Sequence, residues 1–134
     1  MQYMLLIYLD ENALSESQRE QCYNDSTAFA HHLSSNGQLL TTAPLQPTST
    51  ATSVRLRDGK PMITDGPFAE TREQLGGFFL INAKDLDEAI DIAAHIPAGR
   101  WGTVEIRPLV ELPNLPANSF SRSVEFAPSH STQK

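Results

Sequence analysis

The chain is predicted to fold as an α+β domain, an antiparallel sheet with two helices on one face in the ferredoxin-like arrangement. Three observations predict it. Apolar patterning runs strand, helix, strand and then strand, helix, strand along the chain. Asp58-Gly59-Lys60 lies between the two halves and marks an inserted β-hairpin. The 134 residues suit a single core.

Gln2 to Leu9 is an almost unbroken apolar run, as a strand covered on both faces requires. Asp10 to Leu14 is a loop. Ser15-Glu16-Ser17-Gln18 then matches a capping box, with a hydroxyl at the cap and Gln three residues on. The first helix is expected to run to Ser35, with Cys22, Ser26, Phe29, Ala30 and Leu33 as its inner stripe. Asn36-Gly37 ends it. Gln38 to Ala43 is the second strand, and Pro44 to Thr52 a loop. Ser53 to Arg57 and Pro61 to Thr64 flank the Asp-Gly turn. Gly77 to Ala83 is the next strand.

A second helix is expected from Asp85, burying Leu86, Ala89, Ile90 and Ala93 and exposing Asp87, Glu88, Asp91 and His95. Pro97-Ala98-Gly99 stops it. Thr103 to Leu112 is the last strand, pushed towards an edge by Pro108. Domain organisation follows: residues 1–112 form the folded domain and 113–134 a Pro/Ser-rich C-terminal tail. That composition alone predicts a free tail. Ser121 to Phe126 alternates like a short edge strand, so docking on a neighbouring subunit through Phe120, Val124 and Phe126 is the competing expectation.

A sheet with helices on one face leaves the other bare. Tyr3, Leu5 and Ile7 form one alternate set and Met4, Leu6 and Tyr8 the other, and both are apolar. A second sheet packed against the bare face explains this most simply, so a homodimer is expected.

Ten basic residues against sixteen acidic give a formal −6, which argues against nucleic acid as a partner. The longest apolar run, Met4 to Tyr8, is too short to cross a bilayer, and the N-terminus lacks the basic and small-residue features of a secretory signal. One cysteine excludes an intrachain disulfide and suits a reducing, cytoplasmic location. No membrane partner, metal or cofactor is expected, because the chain has no zinc-ligand spacing, phosphate-binding glycine motif or nucleophile elbow.

Asp65-Gly66-Pro67-Phe68 reads first as a turn. Its functional reading rests on Asp65, Glu70, Arg72 and Glu73 crowding one loop that ends in Gly76-Gly77. Carboxylates and a guanidinium converging on a pocket shift one another's proton affinity, as acid–base chemistry needs. Asp65 is the candidate base, Arg72 the group that steadies negative charge, and Phe68 a stacking wall, with Glu70, Glu73 and Trp101 as further pocket residues. Equally, Ala69 to Leu75 reads as a surface helix. His31 and His32 read as solvated side chains near a helix end, His31 pointing away from the inner stripe. Cys22 reads as a small apolar core residue, and Arg55 and Arg57 as a solvated strand face.

Thr64 to Gly77, TDGPFAETREQLGG, resembles the signature of the DGPF-domain group of the YCII-related family. QYMLLIY, GFFLINAKDLDEA and IPAGRWGTVEIRPL resemble the same family's other landmarks in the same order. The resemblance implies a ferredoxin-like fold that pairs into a dimeric α+β barrel with a pocket beside it. It implies largely unassigned roles, some members being similar to lyases or dehalogenating enzymes of ring degradation. The broader family carries a His in the first helix and an Asp just before a Pro after the second. Here those positions hold Ser26 and Ile96, so no catalytic role passes through that pair.

The expected function is therefore a homodimer binding a small organic molecule, with cofactor-free proton transfer or elimination as its chemistry if it is an enzyme. The alternative is a non-enzymatic ligand-sensing or accessory module. Sigma-factor genes often accompany the DGPF group, and the resemblance thereby implies a link to transcription.

Overall fold

The structure is a computed structural model and describes residues 1–116. The contacts expected of Phe120, Val124 and Phe126 lie outside the described residues.

The N-terminal apolar run forms β1 (Gln2–Leu9), and its two-sided apolarity reflects a central position. It pairs antiparallel with β5 (Gln74–Asn82) on one side and with β6 (Gly102–Pro108) on the other. β2 (Leu39–Pro44) pairs antiparallel with β5, giving the order β2-β5-β1-β6. With α1 (Glu16–Ser35) and α2 (Leu86–Ala94), this is the ferredoxin-like arrangement. The inserted hairpin, β3 (Thr52–Arg57) and β4 (Lys60–Asp65), is a separate two-stranded sheet. Asp58 and Gly59 both take positive φ, 53° and 77°, as a tight reversing turn demands.

Register assigns the faces. Leu5 pairs with Phe79 and Ile106, and Tyr3 with Ile81. These side chains, with Ile7, meet Cys22 and Leu33 of α1 and Ala89 and Ile92 of α2 in one buried cluster. Leu5, Leu33 and Ile81 are fully buried, each worth about 1.5–3 kcal/mol. The opposite face carries Met4, Leu6, Tyr8 and Phe78, all half-buried, with Leu80 buried among them.

α1 starts as its capping box predicts. Gln18 N–H donates to Ser15 Oγ at 3.2 Å, and Ser15 N–H to Gln18 Oε1 at 2.8 Å. α2 begins with Glu88 N–H donating to Asp85 Oδ1 at 2.9 Å, while the Glu88 carboxylate accepts from the amide of Lys84.

Three expectations need correction. α2 buries Ala89 and Ile92 and leaves Leu86 and Ile90 about half exposed. Close approach through the small Ala89 turns the helix, so its inner stripe passes through Ala89, Ile92 and Ala93. The last strand ends at Pro108 instead of Leu112: Pro108 pairs with Tyr3 and the Leu109 amide donates to the Gln2 carbonyl at 3.1 Å, where β1 itself begins and offers no further partner. β5 starts at Gln74, so Gly76 and Gly77 lie inside a strand, and residues 69–73 form a turn rather than a surface helix. Among the described residues, no helix is long and apolar enough to cross a membrane.

Candidate functional site

A cavity of about 320 Å³ opens between α1 and the β2–β5 side of the sheet. Small side chains create it. Cys22, Ser26 and Ala30 stand one helical turn apart on α1, and their small side chains leave space between the helix and the sheet beside the core that Cys22 joins. Gly76 and Gly77 remove two side chains from β5. Ile7, Leu9, Phe78 and Phe79 supply the apolar wall, and Ala98 closes one side.

A second row of α1, Tyr23, Thr27 and His31, forms the mouth. The Thr27 hydroxyl donates to the Tyr23 carbonyl, and that of Thr42 to the Phe78 carbonyl, both at 2.8 Å. Those two hydroxyls have given their hydrogens to backbone and keep only acceptor lone pairs. Tyr23, Ser26 and His31 are the other polar side chains lining the cavity. Burial pushes the Cys22 thiol up, opposed by its hydrogen bond with Ser26 and by the Arg100 charge. Cys22 is thus a protonated thiol at neutral pH and a poor nucleophile. Arg100 and Asp25 form an exposed ion pair at 3.4 Å.

The residues singled out around the Asp-Gly-Pro-Phe turn stand elsewhere. Asp65 ends β4 opposite Thr52 and is exposed. The turn behind it is held by Gly66 N–H donating to the Ala51 carbonyl at 2.8 Å and by Ser53 Oγ donating to the Gly66 carbonyl at 2.7 Å. Gly66 has φ 105°, so the turn needs its glycine. Phe68 is 73 % exposed, with the Arg55 guanidinium 4.6 Å from its ring centroid. Glu70 and Arg72 are exposed, and Glu73 accepts a hydrogen bond from Thr103 Oγ1 at 3.0 Å. Trp101 packs against the core, beside Arg100. None of these side chains lines the cavity.

His31 corrects a sequence expectation. It lines the mouth rather than pointing away, because the helix faces the cavity with two adjacent rows. Its neighbour His32 instead stacks on Phe29, ring centroids 6.3 Å apart. The readable signal was the spacing Cys22, Ser26, Ala30 beside Tyr23, Thr27, His31, a stripe too small to fill a helix–sheet interface.

The YCII-related domain matches residues 1–113 of this chain. The chain belongs to the YCII-related family. It is 40 % identical over 114 residues to an uncharacterised protein of Rhizobium meliloti, covering 81 % of this chain and 92 % of that one. The 5-chloro-2-hydroxyhydroquinone dehydrochlorinase of Burkholderia phenoliruptrix, solved in complex with 2,5-dihydroxybenzoquinone, superposes with a TM-score of 0.52. That likeness covers 82 % of this chain and 94 % of the dehydrochlorinase, at 14 % identity, and it shows a shared fold. Within this chain, Ser26 stands at the cavity wall and Ile96 is buried in the core. The cavity therefore holds no imidazole–carboxylate pair from those two positions.

Proposed function

We propose that the chain binds a small, flat, largely apolar organic molecule, of the size of one substituted aromatic ring, in the α1–sheet cavity. The observation that carries this is an apolar hollow of about 320 Å³ with a few polar groups at its wall and mouth, the usual make-up of a small-molecule site. Ser26 and Tyr23 suit hydroxyl or carbonyl substituents, and the His31 ring at the mouth suits a weakly acidic one. The dehydrochlorinase, which shares the fold, binds a dihydroxylated quinone ring. That supports a ring-sized guest here.

The same proposal takes the working unit to be a homodimer paired through the sheet face that carries Met4, Leu6 and Phe78. The half-buried apolar side chains of that face support it. Catalysis by Asp65 as base and Arg72 as charge-steadying group requires the second subunit to bring their turn to a bound molecule. Binding is the reading that one subunit supports by itself.

A thermal-shift screen against hydroxylated aromatics and quinones tests it, since a specific ligand raises the melting temperature by mass action. The expected result is a saturable shift that disappears in Ala30→Leu, whose larger side chain fills the cavity. A shift of equal size in that variant contradicts the assignment.

A further inference from the structure

A smaller recess of about 40 Å³ adjoins the α1–sheet cavity, and Leu9, Cys22, Tyr23 and Gly76 line both. Arg19 lines the recess alone. Helical spacing puts it there. Arg19 precedes Cys22 by three residues and Tyr23 by four, so the cavity face of α1 continues one turn further to a guanidinium. A space of that size takes a substituent, not a ring.

Arg19 is half-buried and held in place. Its Nη2 donates to the Glu11 carbonyl oxygen at 3.0 Å. The Glu11 carboxylate is turned elsewhere, accepting from the Thr48 amide at 2.8 Å and the Thr48 hydroxyl at 2.7 Å. Among the described residues, the carboxylates in ion pairs are Asp25 and Glu105, and their partners are Arg100 and Arg107. Arg19 therefore brings to the recess N–H donors and a charge that no described carboxylate neutralises. The charge is felt at the cavity wall: burial raises the Cys22 thiol, and the Arg19 guanidinium is one of the groups acting against it.

We propose that the guest of the cavity is an aromatic carboxylate, with its ring between α1 and the sheet and its carboxylate in the recess on Arg19. The inference rests on the cavity reading and deepens it by naming the charged substituent. A planar guanidinium matches a planar carboxylate through two parallel hydrogen bonds, and such charge-assisted bonds are stronger than neutral ones. A half-buried setting strengthens the attraction over what an open surface gives. Arg19 is then a specificity-determining residue that selects an acid over a neutral ring.

The test is isothermal titration calorimetry of the full chain with para-hydroxybenzoate and with para-hydroxybenzamide, which has nearly the same shape and no charge. The parent is expected to bind the acid about tenfold more tightly than the amide, the scale of one hydrogen-bonded charge. Arg19→Gln is expected to bring the two affinities together by weakening the acid alone, and its unchanged amide binding shows that fold and cavity persist. Arg19→Lys, which keeps the charge without the planar fork, should retain a smaller preference. Arg100→Gln should leave the preference intact, since that guanidinium is already paired with Asp25. The inference is overturned by a parent that binds the amide as tightly as the acid, by one that binds neither, or by a preference that survives Arg19→Gln or disappears in Arg100→Gln. In each of those cases, binding of uncharged hydroxylated rings that is lost in Ala30→Leu leaves the cavity reading standing, and its absence removes both.

Discussion

The carbonyl oxygen of Ala43 lies 3.0 Å from where a Cβ on Gly77 would stand, and the Cα of Pro44 lies 3.2 Å from the same point. This close approach of β2 to β5 forms one lip of the cavity, and only glycine permits it without moving an edge strand. Gly77→Ala is predicted to cost about 1–3 kcal/mol, the usual range for overpacking a fitted site. Gly102 is more constrained, since a Cβ there would meet the carbonyl of Tyr8 and stand 2.8 Å from the Cα of Leu9. Gly102→Ala should therefore destabilise more than Gly77→Ala. Urea titrations of both variants check the order, and equal midpoints would contradict it.

The capping box at Ser15 gives a second prediction. Ser15→Ala removes the acceptor of the Gln18 amide and should cost about 1 kcal/mol. The loss should appear as a lower denaturation midpoint with an unchanged slope, because one cap leaves the surface exposed on unfolding unaltered.

Much of the fold was legible because it rests on local chemistry. Ser15 and Gln18, Asp58 and Gly59, and the apolar run of β1 each specify their element within a few residues. What depended on packing was less legible. Leu86 and Ile90 have helical spacing, but which stripe of α2 turns inward is decided by how closely Ala89 lets the helix approach the sheet. The candidate site was obscured for a related reason. Asp65, Glu70 and Arg72 draw attention as charges in a crowded loop, yet the structure leaves them in solvent. The cavity instead arises where side chains are small, at Cys22, Ser26, Ala30 and Gly76, and their signal is a spacing of missing bulk rather than a reactive group.

The pH dependence of stability follows from Cys22. Burial raises its thiol in the folded chain, so the folded state holds its proton more tightly than the unfolded one. The resulting stabilisation is complete below the unfolded thiol value of about 8.5 and is lost as pH climbs through the raised folded value. The stability difference between the parent and Cys22→Ala should therefore shift against the parent between pH 8 and pH 10. Denaturant titrations at both pH values check it. A difference that stays constant across that window would mean the thiol is not shielded from water.

The cavity itself is tested most directly by mapping the amide chemical shifts of the ¹⁵N-labelled chain during titration with the strongest binder from the screen. The account predicts saturable shifts centred on Ser26, Ala30, Gly76 and Gly77. Shifts confined to Asp65–Glu73, with the α1 and β5 amides unmoved, would contradict it.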